Sequence, residues 1–212
     1  MATAAETRAG WTYEAFDVVA SLSAITLAAC GLAGVVAPIM AVAATMVLGV
    51  ALAANGARLL RCYARRDASG PLRYSIVVAG LAGAALAVIA LAGADPAVLT
   101  PVASMVFGAG LVLKSNVLWE LQSIHEIGGG QSEGAATGGS PAFLSLAGFT
   151  SGALGAIAAA GGPNDLTLNL AALIVAASAL VLSSASATAV TARIVRPFSL
   201  MRHAVREPRK AG

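Results

Sequence analysis

The amino-acid sequence predicts an all-α integral membrane protein, with six transmembrane helices as three tandem helical hairpins and the N-terminus and C-terminus both cytoplasmic. Three observations predict it. Of 212 residues, 58% are hydrophobic and only 11% charged, with a mean hydropathy of +0.83; a soluble domain carries about 25% charged residues. Apolar blocks of the size needed to cross hydrocarbon, roughly 20 residues, follow one another along the chain. The basic residues gather in alternate connections, as the positive-inside rule requires of a multi-pass protein.

The blocks cover residues 16–36, 38–60, 72–93, 97–119, 142–161 and 166–190. Backbone polar groups in lipid must be satisfied within the segment, and the blocks lack the two-residue alternation of barrel strands, so each is read as a helix. Ahead of them, residues 1–15 carry Glu6, Arg8 and Glu14. They lack the basic region, short apolar stretch and small-residue cleavage site of an export signal, and are read as a retained cytoplasmic segment at the interface. The membrane domain is 16–193, with hairpins 16–61, 72–119 and 142–193. Between the second and third hairpins, 120–141 is rich in glycine and polar residues and reads as a flexible linker. Residues 194–212 form a basic tail.

Arg58, Arg61, Arg65, Arg66 and Arg73 cluster around the second connection, and Arg193, Arg196, Arg202, Arg206, Arg209 and Lys210 follow the sixth block. The opposite connections hold Asp95 and Asp165 and no Lys or Arg. The arginine side is therefore expected to be cytoplasmic. Trp11, Tyr13, Tyr63, Tyr74 and Trp119 fall at that same edge, which makes it the side on which to expect a partner. The two cysteines, Cys30 and Cys62, differ in depth by roughly 20 Å at 1.5 Å per residue, too far for a disulfide.

Short motifs recur. Cys30-Gly31-Leu32-Ala33-Gly34, Ala79-Gly80-Leu81-Ala82-Gly83 and Ser151-Gly152-Ala153-Leu154-Gly155 lie in the odd blocks, each followed by an apolar stretch and a proline, Pro38, Pro96 or Pro163. In the even blocks Val47-Leu48-Gly49-Val50-Ala51-Leu52 parallels Val106-Phe107-Gly108-Ala109-Gly110-Leu111, and the sixth block fits loosely. Self-similarity of this kind implies one unit used several times. Glycines three apart share a helix face and let backbones approach, so Gly31, Gly34, Gly80, Gly83, Gly152 and Gly155 are the expected helix-packing residues.

The candidate intramembrane polar site is Lys114 with Asn55 and Asn116. Lys114 is the one charge well inside a block, and ionisable groups within spans are functional candidates. Its nearness to the cytoplasmic edge equally suits snorkelling, or a pair with Asp17 or Glu120. Asn55 and Asn116 stand late in the second and fourth helices and are expected to bond across the repeat interface. Arg193, Arg196, Arg202 and Arg206 lie among apolar residues, a pattern suited to an amphipathic helix on an anionic leaflet or to a partner contact. No nucleophile, base and orienting group recur together, so no catalytic residues are expected. His125, Glu126 and His203 do not make a metal set, and no cofactor is implied. Topology accounts for the positive charge, so nucleic acid is not an expected partner; the bilayer, a second copy or a membrane-complex partner is.

The Gly-x-x-Gly stretches followed by Pro38, Pro96 and Pro163, with the Leu48-Gly49 and Phe107-Gly108 segments, resemble the HdeD-like family of bacterial inner-membrane proteins over roughly 16–192. The resemblance implies repeated pairs of membrane helices, a stress-protective role linked to acid resistance, and no catalytic residues. The expectation is a non-catalytic structural or stress-protective membrane protein, free or as an accessory subunit. The alternative is a small-solute or ion transporter or channel using Lys114 and the polar residues of helices 2, 4 and 6.

Overall fold

A computed structural model describes the backbone of residues 4–64, 72–127, 141–161 and 165–183, and side chains within 16–60, 74–119, 141–161 and 165–183. The helices are α1 (Ala4–Leu32), α2 (Ala37–Ala64), α3 (Leu72–Leu91), α4 (Pro96–Ile127), α5 (Pro141–Ala159) and α6 (Asp165–Ser183). No strand occurs among the described residues. Five of the helices, α2 to α6, are long and apolar enough to cross a membrane, which makes this a multi-pass membrane protein. Within the described side chains of α1, Phe16–Leu32 is a shorter apolar helix of the same kind. α1 is helical from Ala4, and α4 runs on to Ile127, so helix reaches into the segment read from sequence as linker.

Each odd helix ends on a glycine with positive φ: Gly34 at 87°, Gly93 at 107° and Gly161 at 78°. Only glycine enters this region without a Cβ penalty. After α1, the Val35 amide bonds the Cys30 carbonyl and the Gly34 amide that of Gly31; after α3, Ala94 bonds Ile89 and Gly93 bonds Ala90. These paired bonds are the Schellman arrangement, which satisfies the last carbonyls of a helix and reverses the chain. Val36, at φ 39°, adds a strained non-glycine residue to the first turn.

Burial repeats in register. In α2 the buried positions are 41, 42, 44, 45, 48, 49, 51, 52, 55 and 56. Each position 59 residues further on is buried in α4. Another 69 residues reach 169, 170, 172, 173, 176, 177, 179, 180 and 183 in α6, all buried. The odd helices repeat a narrower stripe: 17, 21, 24, 28 and 31 in α1 recur 59 residues later as 76, 80, 83, 87 and 90, and 68 later again as 144, 148, 151, 155 and 158. Gly34, Gly93 and Gly161 obey the same offsets. The even spans are 44 to 50% buried against 28 and 33% for α3 and α5, so α2, α4 and α6 are the inner helices.

Glycines set the approach of neighbours. A Cβ on Gly49 would lie 2.6 Å from the Ala84 amide nitrogen and 2.9 Å from the Gly80 carbonyl oxygen, and one on Gly80 would strike the Ala53 backbone. The α4–α5 crossing repeats this: a Cβ on Gly108 would lie 2.5 Å from the Gly148 oxygen and 2.6 Å from the Gly152 nitrogen. With no water to expel, close backbone contact is what holds such helices together in lipid. Between the seams the core is layered, with Leu48, Phe107 and Ala176 in one set of equivalent positions and Leu52, Leu111 and Leu180 in the next, all buried.

Candidate functional site

Polar side chains enter this apolar core at two levels. The first contains a charge cluster. Asp17, 3% exposed, lies on the buried stripe of α1, and its Oδ2 accepts from Asn55 Nδ2 at 2.9 Å and from Arg58 Nη1 at 3.1 Å, both on α2. The Arg58 side chain is 31% exposed and Asp17 5%, so the pair runs from the interior toward the surface. On α4, Lys114 is 3% exposed, and its Nζ donates to Ser183 Oγ of α6 at 2.7 Å. The Ser183 hydroxyl in turn donates to the Leu180 carbonyl at 2.9 Å. Asp17 and Arg58 are the charges that act on Lys114. Asn55, Lys114 and Ser183 occupy equivalent positions of the three inner helices, one turn beyond Leu52, Leu111 and Leu180.

The second level lies toward the other end of the inner helices. Asn169 of α6 donates from Nδ2 to Thr100 Oγ1 at 2.9 Å, and its Oδ1 accepts from Ser104 Oγ at 2.7 Å. Thr100 passes its own hydrogen to the Pro96 carbonyl at 2.7 Å. Each side-chain polar atom of this trio has a hydrogen-bond partner, the condition under which buried polar groups cost little. Thr100 and Asn169 are 69 residues apart, the same separation as Lys114 and Ser183. Ser104 precedes Lys114 by ten residues, which places the two levels about 15 Å apart at 1.5 Å per residue.

The structure brings together two members of the sequence-derived polar site and separates the third. Lys114 and Asn55 face the core, whereas Asn116, two residues beyond Lys114, is exposed on the outer flank of α4. Asn55 donates to Asp17 and not to Asn116. The reason is register: the offset of 59 makes Asn55 the counterpart of Lys114, and a step of two residues turns a helical side chain by about 200°. Glu120 and the tail residues Arg193, Arg196, Arg202 and Arg206 lie outside the residues whose side chains are described.

The proposed glycine set also divides. Gly80 and Gly155 are backbone contacts, the latter against Pro101 and Met105 of α4, and Gly83 receives the Phe107 ring. A Cβ on Gly31 would lie 3.1 Å from the Leu170 and 3.2 Å from the Met40 side chain. A Cβ on Gly152 would touch only Gly108 Cα, at 4.0 Å. Gly34 packs against nothing and serves as the α1 cap instead. Gly49, Gly108 and Gly148, absent from that set, are the contact points of the two seams.

Thr100, Ser104 and Asn169 are missed by the sequence reading, whereas Asp17 is expected there as a possible pair for Lys114, and Ser183 among the polar residues of helix 6; their common signal is that each sits on a buried stripe once helices are aligned at the 59, 68 and 69 offsets. Among the described residues, no group of three His, Cys, Asp or Glu side chains converges as a metal site would require. Cys30 is a free thiol, half-buried. Comparison with known proteins brings no match: no protein-family model, no curated protein and no solved structure is similar to this chain.

Proposed function

We propose that the chain is a non-catalytic protein of the bacterial inner membrane, built as three tandem hairpins with six spans and both termini in the cytoplasm, with a structural or stress-protective role as a homo-oligomer or an accessory subunit. The three-hairpin reading is supported by the shared offsets of odd helices, even helices and glycine caps. Orientation is supported by Arg58, Tyr74 and Trp119, which fall at one end of their spans, with the arginine-rich connection beyond them. The stress-protective element rests on the HdeD-like resemblance of the sequence alone.

The observation that carries the structural reading is the layering. The charged level pairs Arg58 with Asp17 and Lys114 with Ser183, and below it Leu52, Leu111 and Leu180, then Leu48, Phe107 and Ala176, fill the inner positions without a polar atom. Solute and proton pathways keep polar groups along their length. The test is purification in mild detergent, with mass determination of the complex. A stoichiometric complex with another membrane protein, or a homo-oligomer without transport activity, is the expected result. Solute flux in reconstituted vesicles that Lys114→Ala abolishes would overturn it.

That flux would support a second reading, a small-solute or ion transporter. The convergence of Asn55, Lys114 and Ser183 with Asp17 on one level favours it, since a charge within a span is costly to keep without use.

A further inference from the structure

The seams between hairpins are not alike. At α2–α3 the backbones meet at Gly49 and Gly80, and at α4–α5 at Gly108 and Gly148. The same offsets put Ala177 of α6 and Ser21 of α1 at the corresponding positions. α1 and α6 do meet, because Gly31 faces the Leu170 side chain. In the first two seams an added Cβ would come within about 2.6 Å of the facing backbone or closer, whereas real contacts need about 3.5–4.0 Å. Two residues that both carry Cβ atoms cannot bring backbones as close as the glycine pairs do.

Two polar atoms among the buried side chains described are orphaned, and both belong to the buried stripe of α1. Asp17 Oδ1 and Ser21 Oγ, one helical turn apart on α1, bond to no protein group, although Asp17 is 3% and Ser21 1% exposed. A buried oxygen left unbonded is costly, and water is small enough to reach such a pair and able to donate to one oxygen while bonding the other. We propose that Asp17 Oδ1 and Ser21 Oγ form a water-binding site on the buried stripe of α1, filled from the Arg58 end and stopped by Ala24 and Ala28 deeper on the same stripe. The site is a wet pocket on one side of a dry layer. It does not depend on whether the protein is structural or a transporter.

Thiol accessibility tests this in a background of Cys30→Ala and Cys62→Ala, using the full chain in membranes and a small water-soluble methanethiosulfonate. Ser21→Cys is expected to react. Ala28→Cys, two turns deeper on the same stripe and fully buried, is expected to stay unmodified under the same exposure. Equal inertness of both would overturn the site, and equal reactivity would overturn the dry layer that bounds it. Ser21→Ala gives a second readout. If the hydroxyl binds water, its loss lowers Tm by about 2–4 °C; an unchanged or raised Tm, as removal of a dry orphan predicts, would contradict the proposal.

Discussion

Asp17 is the residue on which the charged level turns. Its equivalents in α3 and α5 are Ile76 and Leu144, both buried and apolar, so the fold accepts a hydrocarbon side chain there. What it does not accept is Asp17's removal alone, which would take from Arg58 and Asn55 the carboxylate oxygen they share and from Lys114 a nearby negative charge. Asp17→Leu is expected to destabilise the protein by about 3 kcal/mol, discounted from a fully buried pair because Arg58 reaches water. Asp17→Leu combined with Arg58→Val and Lys114→Met should return most of that loss, because apolar replacement of a whole ion cluster is often neutral or better. Thermal unfolding in detergent distinguishes the two. Lys114 was legible in the sequence because a lone charge in an apolar block is conspicuous. Asp17 was legible as a candidate pair, but its bonds to Asn55 and Arg58, and the Lys114 bond to Ser183, were not, because hydroxyls and amides give no signal until the register between helices is known.

At the scale of the helix, backbone approach rather than hydropathy decides what a glycine does. Gly80→Ala and Gly108→Ala push a Cβ into a neighbouring backbone and are each expected to cost about 1–3 kcal/mol. Gly152→Ala meets only a 4.0 Å contact and should stay within about 0.5 kcal/mol of the parent. Gly93→Ala forces a Cβ into a left-handed cap at φ 107° and should cost on the order of 1–2 kcal/mol. Unfolding midpoints of the four variants rank these effects. The helices and most of their bounds were readable from apolar length. The roles of single glycines were not: Gly31-Leu32-Ala33-Gly34 looks like Gly80-Leu81-Ala82-Gly83, yet one lies at a helix end and the other at a crossing. Local resemblance aligned α1 with α3 by 49 residues, whereas burial aligns them by 59.

Across the whole molecule α2, α4 and α6 are the more buried helices and share one register, with polar levels above and below an apolar middle. Repetition itself was visible in the sequence through the even helices, where Leu48-Gly49 and Phe107-Gly108 share the 59-residue offset. The sixth helix looked degenerate because its counterparts are Ala176 and Ala177, and small-for-small replacement erases the motif while leaving the burial intact. The register of α6 against α4 is the central claim, since it fixes both polar levels at once. Cysteine cross-linking in native membranes, in a background without Cys30 and Cys62, measures it most directly. Thr100→Cys with Asn169→Cys is predicted to form a disulfide readily, because these side chains are hydrogen-bonded at 2.9 Å. A stronger cross-link from Thr100→Cys with Leu173→Cys, one turn out of register, would contradict it.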